Sequence, residues 1–156
     1  MNTAGITLKL QDLTMTNPGG TSGCIYQRST SGTIIAEDVT FDDCDTNGWG
    51  SAISADGGSM SLTRVKFTDN RIANAGIGGA IYVWAPTSLT MDTVCGSGNW
   101  AGNGGKFMFV GASNSGSGQV TITNSWFASD QDIQDQRGGW VTTTNPASSC
   151  PSSAGA

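Results

Sequence analysis

The chain has 156 residues, seven basic, twelve acidic and no histidine, for a net charge of −5. No basic patch is present, which argues against a nucleic-acid partner, and no apolar run approaches the roughly 20 residues that cross a bilayer, so no membrane insertion is expected. Twenty-three glycines with only 12% charged residues argue against a disordered chain and for an all-β protein of short strands and many turns.

The first predicted strand pair is LKLQDLTM, from Leu8. A glycine-rich stretch, PGGTSGCIY, then leads into a third short strand with Ile25 and Gln27 facing inward. The same order returns with IIAEDVTF from Ile34, followed by NGWGSAISA with Ile53 and Ala55 inward. It returns again with MSLTRVKF from Met60 and NAGIGGAIYV, where Ile81 and Val83 are the inward pair. A fourth copy is LTMDTVCG from Leu89, followed by GNGGKFMFV with Phe107 and Phe109 inward. The fifth is VTITNSWF from Val120, with Val141 and Thr143 as its third-strand pair.

Successive copies start 26, 26, 29 and 31 residues apart. Aligned, they form coherent columns. Leu8, Ile34, Met60, Leu89 and Val120 make one. Leu10, Ala36, Leu62, Met91 and Ile122 make another. Leu13, Val39, Val65 and Val94 make a third, which Ser125 breaks. Met15, Phe41, Phe67 and Phe127 make a fourth, with Gly96 as its gap. Two polar residues separate the second and third columns in every copy, as in Glu37-Asp38 and Thr63-Arg64. Apolar spacing of two, interrupted by a polar corner, predicts short strands. Glycines before the third strand supply the backbone freedom of a turn.

Three short parallel strands per turn, repeated five times, describe a right-handed parallel β-helix of about five coils. Residues 1–144 are expected to form this single domain, with an irregular tail over 145–156. At roughly 4.8 Å per coil the rod is about 24 Å long. An antiparallel sandwich is the structural rival, but it does not explain equivalent residues recurring in register.

Cys24, Cys44, Cys95 and Cys150 lack C-x-x-C spacing, and no histidine is present to complete a zinc set. Their even number suits one or two disulfides and an oxidising compartment. Three pairings are open, and the spacing does not choose among them. The opening MNTAGITLKL has no secretory h-region, so secretion is expected of a mature or excerpted chain.

FTDN at Phe67–Asn70 and GGAI at Gly78–Ile81 resemble the paired F-x-x-N and G-G-A-I signatures of polymorphic outer-membrane protein repeats. The resemblance covers residues 35–110. FDDC with GSAI, and GSGN with GGKF, are looser versions. It implies an extracellular parallel β-helix of the kind found in bacterial surface adhesins. The family's C-terminal membrane barrel is not expected among these residues, so membrane anchoring is not expected to carry over. Asn70 and Asn99 fall at matching corners, where asparagines stack and bond turn backbone. Cys44 holds the same corner one coil earlier.

Chemistry-bearing clusters are sparse. Asp42, Asp43 and Asp45, with Asp69 one coil on and Lys66 nearby, make the best acidic group for a lyase or hydrolase. It reads as a solvated corner, with no arginine to complete a site. Asp130, Asp132 and Asp135 read as a polar surface loop rather than a calcium site. GNGGK lacks the spacing and helix of a phosphate loop. Serine–histidine and cysteine–histidine nucleophiles are ruled out by the absence of histidine. Ranks of Thr and Ser on the first strands resemble an ice-binding face, but Lys9, Ile35 and Gln119 interrupt them.

Trp126 and Trp140 fall at outward columns of the last coil, where they are candidates for assembly or glycan contacts. The expected function is a non-catalytic extracellular β-helix with a structural, adhesive or filament-assembly role. Its expected partners are further copies of itself or surface glycans, and it needs no cofactor or metal. A carbohydrate-active β-helix enzyme is the alternative, and an ice- or glycan-binding surface module is a third.

Overall fold

The computed structural model describes residues 5–20, 22–111, 119–136 and 138–155. It is an all-β parallel β-helix. The first rung holds β1 (Thr7–Asn17) and β2 (Ile25–Gln27), and the second holds β3 (Thr33–Thr46) and β4 (Ile53–Ala55). The third comprises β5 (Ser59–Thr63), β6 (Lys66–Thr68), β7 (Arg71–Ile72) and β8 (Ile81–Trp84). The fourth comprises β9 (Ser88–Asp92), β10 (Cys95–Ser97) and β11 (Met108–Gly111). The fifth comprises β12 (Gln119–Thr123), β13 (Trp126–Phe127) and β14 (Ile133–Asp135), and β15 (Val141–Thr144) follows.

The strands stack into three faces. The first face runs through β1, β3, β5, β9, β12 and β15. The second runs through the later halves of β1 and β3, then β6, β10 and β13. The third runs through β2, β4, β8, β11 and β14. Every one of these pairings is parallel. The solenoid makes about four turns rather than five. The repeat copies mark rungs, and the third face stacks its five strands through four intervals.

A left-handed residue opens each corner between the first and second faces. Asp12, Asp38, Arg64, Thr93 and Asn124 have φ of 53°, 55°, 54°, 60° and 49°. These are the second members of the polar pairs read from the sequence. A single αL residue turns the strand sharply, and a polar side chain there points to water. Arg64 joins the rungs at this corner: its guanidinium donates to Asp38 Oδ1 at 2.6 Å and also to Glu37. The hydrogen bond from Arg64 holds the Asp38 carboxyl below its ordinary pKa.

The expected columns form the core. Leu62, Val65 and Phe67 are buried, whereas Ser61 and Lys66 face outward. Phe41 and Phe67 stack with centroids 5.1 Å apart. At the gap left by Gly96, the Phe107 ring enters from the other side of the rung. It lies 5.6 Å from the Phe67 centroid and 4.3 Å from that of Phe127. The aromatic column is thereby made whole.

Two register expectations need correction. Phe107 and Phe109 are not the inward pair of the third face; Met108 and Val110 are, in register with Ile81 and Val83. Phe109 points outward beside Tyr82. Val141 and Thr143 do not belong to the third face either. They lie on the first, opposite Val120 and Ile122. Ile133 takes the third-face place, opposite Met108, within the run read as a polar loop.

Two disulfides are present, Cys24–Cys44 and Cys95–Cys150. The second ties the tail to the outside of the second face. Ala147 N donates to Ser125 O at 3.0 Å, Gly155 N to Arg64 O at 2.8 Å, and Thr40 Oγ1 to Gly155 O at 3.2 Å. The tail therefore runs back from the fifth rung to the second, along the flank.

Candidate functional site

The corner between the second and third faces carries the asparagine ladder. Asn70 Oδ1 accepts from Cys44 N at 3.1 Å, and Asn70 Nδ2 donates to Phe41 O at 3.0 Å and to Asn99 Oδ1 at 2.8 Å. Asn99 Nδ2 continues to Phe67 O and to Gln131 Oε1. Both asparagines are buried, so the ladder is structural: it satisfies turn backbone that would otherwise be buried unpaired.

Outside this ladder the acidic group separates. Asp42 accepts from Thr68 Oγ1 across the rungs. Asp45 Oδ2 accepts from Gly19 N at 2.8 Å. Lys66 lies under the tail, beside Gly155. Only Asp43 and Asp69 stay together, both at left-handed φ. They line an open cleft of 380 Å³ with Arg71, Gly98 and Trp100. The Arg71 guanidinium sits 5.6 Å from the Trp100 ring centroid. An arginine does join these carboxylates, contrary to the sequence reading. It was missed because β7 is a two-residue strand whose pairing with Asp45 and Thr46 has no counterpart in the repeat columns.

The second acidic run is consumed by backbone. Asp132 accepts from Gly105 N at 2.9 Å and Lys106 N at 2.6 Å. Asp135 accepts from Gly138 N, Trp140 N and Val141 N. Among the described residues no group of three or more His, Cys, Asp or Glu is placed to hold a metal ion.

The third face presents a different surface. Its central outward column is Tyr26, Ser54, Tyr82, Phe109 and Gln134. Tyr82 and Phe109 stack at 5.6 Å, nearly parallel at 4°. Trp84 stacks on Tyr82 at 6.5 Å. At the second rung Ser54 has no ring, and Trp49 comes in from the preceding loop to stack on Tyr82 at 5.5 Å. Between Trp49 and Tyr26 a cleft of 270 Å³ remains, lined also by Ser22, Thr46, Gly48 and Ser54. Burial pushes the Tyr82 hydroxyl up to about 12, with the Asp56 charge adding to it.

Trp126 and Trp140 are half-buried. Trp140 packs against the core at the last rung. The exposed aromatic side chains are instead Tyr26, Trp49 and Trp100. Repeat columns could not locate Trp49 and Trp100, because both sit in connecting segments. Comparison with family models, with curated proteins and with solved structures gives no match for this chain.

Proposed function

We propose that this chain is a non-catalytic extracellular β-helix with a structural and adhesive role, associating end to end with further copies of itself. The observation that carries the reading is the first rung. β1 pairs with β3 along one edge, and Ile6 and Leu8 stand 79% and 39% exposed. With Ile25 and Ile34 they wall an apolar cleft of 250 Å³. A long strand edge flanked by exposed apolar side chains is a template for another strand.

The last strand supplies the complement. Among the described residues β15 pairs only with β12. Leu8 and Val141 belong to one column of the first face, linked through Ile34, Met60, Leu89 and Val120. Setting β1 of one copy beside β15 of the next continues that column at the usual strand spacing. Such a contact is heterologous and does not close, so it grows a rod. The disulfides favour an oxidising, extracellular setting. The likeness of Phe67–Asn70 and Gly78–Ile81 to polymorphic outer-membrane repeats belongs to the same proposal.

Light scattering across a concentration series, followed by negative-stain microscopy, tests it. Association is expected to rise with concentration and to vanish in Leu8→Lys. Ser61→Lys, in the middle of the first face, should leave it unchanged. A monomer at every concentration overturns the reading.

One observation favours a second reading, a carbohydrate-active enzyme: the cleft with Asp43, Asp69, Arg71 and Trp100. Two carboxylates and a guanidinium beside an indole are parts of such a site. Release of reducing or unsaturated sugar ends, abolished by Asp43→Asn and by Asp69→Asn, would establish it. The expected result is no release.

A further inference from the structure

We propose that the cleft between Tyr26 and Trp49 is a binding site for a neutral glycan. It lies on the flank, and Tyr26 also borders the apolar cleft of the first rung, so Trp49 and Ser54 are the residues that separate this site from the end-to-end contact.

Three observations converge there. The first is the aromatic walls. Trp49 and Tyr26 are 55% and 52% exposed, yet neither ring is loose. Trp49 is stacked on Tyr82, itself stacked on Phe109 and Trp84. The Tyr26 hydroxyl donates to Asp56 Oδ2 at 3.2 Å, and the Arg28 guanidinium lies 5.9 Å from its ring centroid. Rings fixed before binding lose little entropy when a ligand stacks on them.

The second observation is the floor. Ser54 is 5% exposed and lines the cleft. Its neighbours Ile53 and Ala55 face the core, so its hydroxyl points outward into the cleft. Among the described residues that hydroxyl has no hydrogen-bond partner. It opens onto the cleft beside Ser22 and Thr46, where a hydroxyl of a bound ligand can pair with it.

The third is shape and charge. At 270 Å³ the cleft falls below the roughly 300–1,000 Å³ of pockets for drug-sized ligands, which suits a sugar ring or a pair of rings. Among the described residues no charged side chain lines it, which suits a neutral ligand. A pyranose matches it on both counts: an apolar C–H face for the rings and hydroxyls for the floor.

The test is calorimetric and tryptophan-fluorescence titration of the whole chain with cellohexaose, with maltohexaose as the α-linked comparison. Saturable binding of at least one of the two is expected. Trp49→Ala and Tyr26→Ala should each weaken it roughly tenfold, the loss of a stacking contact. Trp49→Phe should recover part of the loss. Ser54→Ala, which leaves the rings in place, should weaken binding a few-fold. Trp100→Ala, in the other cleft, should change nothing. Absence of saturation by either oligosaccharide, indifference to Trp49→Ala, or an equal loss in Trp100→Ala overturns the site.

Discussion

At the scale of single residues, Gly96 and Phe107 form one solution. A Cβ added to Gly96 would lie 2.5 Å from Phe107 Cδ2, and that ring is held between Phe67 and Phe127. Gly96→Ala is therefore expected to cost about 1–3 kcal/mol by overpacking, and Phe107→Ala about 3–5 kcal/mol by leaving a cavity. The double variant should cost less than the sum, because the alanine methyl occupies part of the vacated space. Urea unfolding of the three proteins measures this. Thr93 presents the opposite case. It is a β-branched residue at φ 60°, where the other corners use Asp, Arg and Asn. Asparagine tolerates that region better, so Thr93→Asn should stabilise by about 1 kcal/mol, again read from unfolding midpoints. The gap at Gly96 was visible in the sequence columns, but what filled it was not. A column of equivalent positions records which residues share a face, not which side chain crosses the rung from the opposite side.

At the scale of elements, the repeat was readable wherever polar and apolar residues alternate. MSLTRVKF places Leu62, Val65 and Phe67 inside without ambiguity. β11 failed that test because Phe107 to Val110 is an unbroken apolar run, and alternation says nothing about such a run. Pairing glycine doublets set Gly104 against Gly78; the structure sets Gly105 there, with φ 60° against 72°, and every side chain changes face. β14 and β15 were displaced for a related reason. Asp135 caps three amides of the turn that follows it, which brings Val141 to the first face sooner than the repeat spacing predicts. The acidic cleft and the aromatic cleft were both hidden, because Arg71, Trp49 and Trp100 lie outside the columns. The β11 register carries its own test. With Phe109 packed outside on Tyr82, the Tyr82 hydroxyl is buried and its pKa is raised to about 12. The folded state resists ionisation while the unfolded state ionises at about pH 10. The stability Tyr82 contributes is thus complete below about pH 10 and is lost as pH rises toward 12. Ultraviolet titration should show a tyrosinate phase near pH 12 that Tyr82→Phe removes. Phe109→Ala, which uncovers the ring, should shift that phase downward. If Phe109 faced the core, its removal would leave the phase in place.

At the scale of the whole molecule, the disulfides act on different parts. Cys24–Cys44 spans 20 residues and joins the first rung, whose strand β1 has no fully buried residue, to the second. Cys95–Cys150 spans 55 residues and holds a tail with little apolar surface of its own. Loop-closure entropy assigns them about 3 and about 4 kcal/mol. The tail does more than close a loop: Gly155 reaches Arg64 and Thr40, so it bridges the third and second rungs from outside the sheets. Cys150→Ser should lower stability by about 4 kcal/mol in reversible denaturation. Hydrogen exchange should show the loss of protection first at Ala147 and Gly155, with the amides of β5 and β9 keeping theirs. Protected Gly155 in that variant would mean that packing, not the disulfide, seats the tail. The same variant separates flank from end. The tail runs along the second face, away from the edges of β1 and β15 that pair with no other strand among the described residues, so Cys150→Ser should associate as the parent does at temperatures where both are folded. Association that fails with the tail released, and survives Leu8→Lys, would move the contact from the ends of the solenoid to its flank.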